Sequence, residues 1–73
     1  MMSNTERETD VEVNDAGTII QLIPHTDEGR AWINENTESE PYQWLGPALC
    51  VERRYAENIV YGMIDAGLVV RST

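Results

Sequence analysis

The feature that most constrains the fold is a short apolar run, TIIQLI, at residues 18–23. The residues before it, NDAG at 14–17, are typical of a turn, and Pro24 ends the run. The run therefore predicts a strand. Apolar side chains occupy most positions on both of its faces, so we expect other elements to cover it on both sides.

A first helix is predicted to begin after Thr26 and to end near Asn36. Thr26 is a suitable N-cap, and Asp27 and Glu28 place negative charge in the first turn, where the helix dipole favours it. We expect the inward-facing residues of this helix to be Gly29, Trp32, Ile33 and Asn36.

The segment QWLGPALCVERRY, residues 43–55, predicts a turn at Gly46-Pro47 and a short buried strand at residues 48–51. Trp44 is expected to fold back over the core. A second helix is predicted from about Glu52, with a broad apolar face built from two neighbouring rows: Tyr55, Ile59 and Met63, and Ala56, Val60 and Ile64.

The second helix is predicted to end at residues 65–67, DAG. Gly67 suits the left-handed position after the helix, and Leu68 would then contact Met63 in a Schellman motif. A third strand is predicted to begin at once, at residues 68–70, LVV.

The order strand, helix, strand, helix, strand predicts an α/β fold: a small single domain with a β-α-β-α-β arrangement, a three-stranded parallel sheet and two helices. If the first strand is central, right-handed crossovers place the helices on opposite faces of the sheet. The alternative puts both helices on one face. The other apolar face would then need a second subunit or a partner to cover it.

Residues 1–16 are predicted to be a disordered acidic leader, and residues 17–73 the small α/β domain. The first 15 residues hold five carboxylates and one arginine, and they account for about half of the formal net charge of −8. The chain contains no lysine, which also fits a salt-adapted source. Because the basic residues are few and scattered, direct binding to nucleic acid is not expected.

A chain of 73 residues forms at most one domain, and a domain of this size buries only about 60% of its unfolded surface. Such domains usually need a disulfide, a metal or self-association. A single cysteine, Cys50, and a single histidine, His25, provide neither of the first two, so we expect a homo-oligomer or a protein partner. The polar N-terminal residues and the lack of a long apolar run predict a cytoplasmic protein without a membrane span.

The sequence predicts no enzymatic activity and no cofactor. Cys50 lies inside a predicted strand, where a free thiol is usually a small buried hydrophobe. Glu38 and Glu40 lie in the polar connection of residues 37–42, where a solvated loop is a better interpretation than an acid and base pair. Glycine patterns that bind phosphate are missing.

Two arginines stand where the helix dipole disfavours them, Arg53 and Arg54 at the start of the second helix. Either they are held by Glu52, Glu57 or a carboxylate of the first helix, or they form a small site for an anion or an acidic partner. Both are therefore candidate partner-binding residues.

The aromatic residues supply two more candidates, because Trp and Tyr are enriched at binding hot spots. Tyr61 lies off the main apolar face of the second helix and is the leading candidate for an exposed contact. Trp44 is a second candidate, although a core position is the commoner one for it.

The pattern W-x-G-x-A-x-x-V-E-x-R-Y, which begins at Trp44, and the later G-M-x-x-x-G-L, which begins at Gly62, resemble segments of small uncharacterised proteins of bacteria, phages and plasmids. The resemblance covers residues 17–70. It implies no activity, and it suggests a gene carried by a phage or another mobile element.

The function predicted from the sequence is that of a small accessory protein that acts by protein–protein contact, as a homodimer. The alternative is an acidic mimic of nucleic acid that inhibits a nucleic-acid-binding protein of the host. Its mimic surface would consist of Asp27, Glu28, Glu35, Glu38 and Glu40.

Overall fold

The computed structural model describes residues 8–37 and 43–72 of the chain. In chain order, their elements are β1 (Val11–Asp15), β2 (Ile19–Pro24), α1 (Asp27–Asn36), β3 (Trp44–Leu45), β4 (Ala48–Glu52), α2 (Arg53–Asp65) and β5 (Val70–Ser72). The strands form one sheet in the order β3-β4-β2-β1-β5. The predicted α/β class and the two helices are confirmed.

The prediction of three parallel strands is wrong, because the sheet has five strands and is mixed. β2 pairs antiparallel with both β1 and β4, and β3 pairs antiparallel with β4, whereas β5 runs parallel to β1. Tight turns explain two of the three antiparallel pairs, β1–β2 and β3–β4, since a parallel pair needs a crossover of a dozen or more residues. One of them is the predicted Gly46-Pro47 turn, which joins β3 to β4 instead of only preceding a strand. The third pair, β2–β4, is joined through α1 and β3.

β1 lies inside the segment that was predicted to be a disordered leader, so that prediction is wrong for residues 11–15. The predicted turn at residues 14–17 does not close a leader; it belongs to a β-hairpin between β1 and β2. Gly17 has a φ of +97°, and its N–H donates to Asp15 Oδ1 at 2.9 Å. Residues 1–7 of the predicted leader lie outside the described residues.

The first helix is confirmed. Thr26 is its N-cap, and the Thr26 hydroxyl accepts a hydrogen bond from Gly29 N at 3.0 Å. Gly29 and Ile33 are buried and Trp32 is half-buried, as expected for the inward face. Asn36 was predicted inward but is exposed, and its side chain donates to the carbonyl of Trp32 instead.

The second helix and its termination are also confirmed, but its predicted apolar face is too broad, since Tyr55 and Ile64 are 53% and 55% exposed. Gly67 has a φ of +89°, its N–H donates to Ile64 O at 3.0 Å, and Leu68 N donates to Met63 O at 3.0 Å. These two bonds are the Schellman pattern. Because the motif uses Leu68, the last strand begins only at Val70, two residues later than predicted.

Both helices pack on the same face of the sheet, so the predicted placement on opposite faces is wrong and the alternative is right. A Cβ added to Gly62 of α2 would lie 3.0 Å from the Trp32 ring of α1, which shows that the helices touch each other. Beneath them, one buried cluster joins three strands to both helices: Val11, Ile20, Leu22, Ile33, Leu49, Ala56 and Met63.

A buried carboxylate, Asp10, joins the start of β1 to α1 and to the residues before β5. It is 7% exposed, and it accepts hydrogen bonds from the Thr26 hydroxyl at 2.7 Å and from Val69 N at 2.8 Å. Its backbone carbonyl accepts a third hydrogen bond, from His25 N at 2.8 Å. Part of the segment predicted as a leader is thus buried in the domain.

Candidate functional site

Arg53, one of the predicted partner-binding residues, is held by the β1–β2 turn. Its guanidinium donates to Asp15 Oδ1 and to the carbonyl of Gly17, each at 2.6 Å. The hydrogen bond from Arg53, together with the one from Gly17 N, lowers the pKa of Asp15 below 3.8, and the same pair raises the pKa of Arg53. None of the partners predicted for Arg53 is the right one, since the carboxylate belongs to β1.

Arg54 contacts a different group, one of its predicted partners. Its Nε donates to Glu52 Oε1 at 3.3 Å, and its guanidinium carbon lies 4.9 Å from the centre of the Tyr55 ring. Both groups of the ion pair are mostly exposed, so the pair contributes little to stability. The two arginines therefore contact different neighbours and do not converge on one anion site.

Cys50 and His25 contact different neighbours as well. Cys50 lies in β4, half-buried, opposite Gln21 of β2. His25 follows β2, and its Nε2 lies 2.8 Å from Glu12 Oε1. Within the residues that the structure describes, no group of three or more His, Cys, Asp or Glu side chains could hold a metal ion.

The structure places the remaining predicted candidates on separate surfaces. Trp44 lies in β3 and packs half-buried against the core. Tyr61 is 62% exposed on α2, which confirms its predicted exposure. Glu38 and Glu40 lie outside the described residues, and the other residues of the predicted mimic surface, Asp27, Glu28 and Glu35, are exposed on α1.

The helices leave one face of the sheet uncovered, and we call it the open sheet face. Side chains alternate along each strand, so the residues between the buried ones point to it. Its apolar members are Ile19, Ile23, Leu45, Ala48 and Cys50, of which Ala48 is buried, and its polar members are Glu12, Asn14, Gln21, Glu52 and Arg71. No helix or strand of residues 8–37 and 43–72 covers it.

A second surface lies on the helix side, between α2 and the β1–β5 end of the sheet, and we call it the α2 groove. It is an open groove of ≈ 560 Å³. Val13, Ile20, Ala56 and Val60 form its apolar part, and Tyr61 is the largest side chain that lines it. Five polar residues complete its lining: Asp15, Arg53, Arg54, Glu57 and Ser72.

A third surface is a groove of ≈ 770 Å³ near the C-terminal end of α1 and the first turns of α2. Thr37, Gln43, Tyr55 and Ile59 line it, together with the part of β4 that extends beyond its pairing with β3. Thr37 and Gln43 flank residues 38–42, which lie outside the described residues.

Comparison with protein-family models finds no match for the chain, and searches of curated proteins and of solved structures find no matching protein either. The resemblance to small bacterial, phage and plasmid proteins therefore stays a prediction. Of the helices that the structure describes, none is long and apolar enough to cross a membrane.

The sequence contained a usable signal for part of this geometry. Val11 and Val13 alternate with Glu12 and Asn14, which is the period of a strand with one buried face. No signal in the sequence identified which face of the sheet the helices leave open, because that depends on the pairing order of the strands.

Proposed function

We propose that the protein acts by protein–protein contact as a homodimer, and that two copies associate through the open sheet face. The observation that carries this proposal is the packing of both helices on the other face. Ile19 is 37% exposed and Leu45 is 67% exposed, although both belong to strands of the sheet. Apolar side chains that together form a large exposed patch mark a contact surface.

The charge of the open sheet face favours a second copy as its occupant. It carries two carboxylates, Glu12 and Glu52, and one guanidinium, Arg71, so its net charge is −1. The described residues together hold ten carboxylates and four arginines, a net charge of −6, so most of their negative charge lies elsewhere. Two copies that meet through this face keep their remaining carboxylates apart, which reduces the repulsion between two acidic proteins.

The polar side chains of this face are largely satisfied within the chain. Asn14 Nδ2 donates to Gln21 Oε1 at 2.7 Å, and Glu12 pairs with His25 at 2.8 Å. A polar group that keeps its hydrogen bond costs much less to remove from water than one that loses its partner. The face can thus be covered without leaving these groups unpaired.

The size of the core gives a further reason for association. The buried hydrophobic residues of the described chain are few: Val11, Ile20, Leu22, Ile33, Ala48, Leu49, Ala56 and Met63. A small domain gains a substantial fraction of its stability when a second subunit removes more apolar surface from water.

The test is the mass in solution, measured by sedimentation equilibrium at micromolar concentration. The wild-type protein should have twice the chain mass of 8.3 kDa. Ile19→Lys should convert it to a monomer, because the substitution replaces an exposed apolar side chain of the open sheet face with a charge. The matched control is Ile64→Lys, at a residue that is 55% exposed on α2, and this variant should remain a dimer.

A wild-type protein of 8.3 kDa under these conditions would contradict the proposal. So would an Ile64→Lys variant that dissociates while Ile19→Lys does not. Circular dichroism of both variants shows whether each has retained its fold.

A further inference from the structure

We infer that the outer edge of β5, together with the α2 groove, binds an extended segment of a different protein by strand addition. The segment would pair with β5 and would have an acidic residue between two apolar ones. This site adjoins the open sheet face at Arg71, on the outermost strand, and it gives the proposed homodimer a way to bind a partner.

The first step concerns the backbone of β5. On one side β5 pairs with β1, with Val70 opposite Val11 and Ser72 opposite Val13. β5 is the last strand in the order of the sheet, so none of the described strands pairs with its other side. Such an edge offers N–H and C=O groups to an incoming strand.

The second step concerns the space beside that edge. The α2 groove begins at Ser72 of β5 and continues over Val13 to Val60 and Tyr61 of α2. A segment that adds to β5 would therefore lie beside a helix, and its side chains would point alternately into the groove and away from it. Apolar side chains of the segment that point into the α2 groove would cover Val60 and the exposed Tyr61 ring.

The third step concerns Arg71, which lies between Val70 and Ser72 in β5. Val70 and Ser72 share the face of Val11 and Val13, so Arg71 lies on the open side of the sheet. Arg71 is exposed, and its neighbour on β1 is Glu12. Glu12 is bound to His25, and Arg71 forms no ion pair with any residue that the structure describes. A carboxylate directly opposite it on a neighbouring strand would be favourable. The incoming segment should therefore have an acidic residue opposite Arg71, with an apolar residue on each side of it that points toward α2.

The same geometry argues against a second copy as the occupant of this edge. If β5 paired antiparallel with β5 of another copy, with full overlap of the two three-residue strands, each Arg71 would lie opposite its counterpart. Like charges directly opposite each other destabilise a strand pair. A partner with an acidic residue at this position fits better.

The experiment is a titration of the full-length, ¹⁵N-labelled protein with the blocked peptide Gly-Thr-Val-Glu-Val-Thr-Gly, followed by NMR. We expect the amide signals of residues 70–72 to shift and their hydrogen exchange to slow. We also expect the affinity to fall as salt is added, since the contact with Arg71 is exposed. A peptide with Lys in place of Glu should bind about fivefold more weakly.

Two protein variants complete the test. Arg71→Glu should weaken binding of the Glu peptide about fivefold and should restore binding of the Lys peptide. Tyr61→Ala should weaken binding about fivefold. The matched control Tyr55→Ala should leave binding unchanged, since Tyr55 is similarly exposed on α2 but lines the other groove.

Three results would overturn the inference. The first is the absence of any shift in the amide signals of residues 70–72, and the second is equal binding of the Glu peptide by wild type and Arg71→Glu. The third is a shift of those signals that depends on the protein concentration and not on the peptide concentration. The last result would identify a second copy as the occupant. A titration of Ile19→Lys separates this inference from the proposed homodimer, because a monomeric variant should still bind the peptide.

Discussion

Gly29→Ala tests the contact between α1 and the start of β1. A Cβ at this position would clash with the carbonyl oxygen of Asp10 and would lie 3.0 Å from Cγ2 of Val11. The Asp10 carbonyl cannot easily move, because it accepts a hydrogen bond from His25 N and its side chain binds Thr26 and Val69. The helix would have to shift instead.

The expected cost follows from three contributions. Crowding a well-packed site costs about 1–3 kcal/mol, and weakening the N-cap bond between Thr26 and Gly29 costs about 1 kcal/mol more. The better helix propensity of alanine stabilises the variant by at most about 1 kcal/mol. We therefore expect Gly29→Ala to lower the free energy of unfolding by about 2 kcal/mol, or the melting temperature by roughly 10 °C in a domain of this size.

Gly62→Ala is the matched control. A Cβ there would lie 3.0 Å and 3.2 Å from two atoms of the Trp32 ring. This contact is with a half-buried side chain, not with backbone, so the ring can move by a few tenths of an ångström. The gain of about 1 kcal/mol in helix propensity should offset that cost, and the stability should change little.

The assay is urea denaturation, followed by circular dichroism and by the fluorescence of Trp32 and Trp44, at one fixed protein concentration because association adds to apparent stability. If Gly29→Ala had the same free energy of unfolding as the wild type, the reasoning would be refuted. An equal loss in both glycine variants would also refute it, since the loss would then reflect only the added methyl group.

Two further predictions concern carboxylates. Asp10→Ala removes the acceptor of two hydrogen bonds from a buried site and should lower the free energy of unfolding by about 2–3 kcal/mol in the same denaturation assay. Asp10→Asn should lower it by a smaller amount. Wild-type stability in both variants would contradict the role of Asp10. Asp15 has a pKa below its ordinary value of 3.8, so its stabilising effect is complete above that value and is lost as the pH falls through the lower pKa of the folded state. Wild type and Arg53→Gln should therefore differ near neutral pH and converge at acid pH in thermal melts, whereas a constant difference would point to a role of Arg53 outside this ion pair.

The elements with strong local signals could be predicted from the sequence. The cap at Thr26, the Schellman ending at Gly67 and the Gly46-Pro47 turn each depend on a few neighbouring residues, and all three are present in the structure. β1 was missed because the acidic composition of the first 15 residues outweighed the alternation of Val11 and Val13.

The topology and the site depended on contacts between distant residues, which no local rule supplies. Arg53 contacts Asp15, 38 residues away, and Asp10 contacts Val69, 59 residues away. Because β1 was assigned to a disordered leader, the predicted sheet lacked the strand that pairs with both β2 and β5. The pairing order, the common face of the helices and the open sheet face all follow from that strand.

The position of β1 in the sheet also affects how the protein is made on the ribosome. β1 is among the earliest parts of the domain to leave the exit tunnel, yet its parallel neighbour β5 is translated after both helices. Until those last residues emerge, one side of β1 stays bare, and the nascent chain cannot complete its sheet. Closure of the sheet therefore waits for the synthesis of β5, and until then the unpaired side of β1 is a point where chaperones could act.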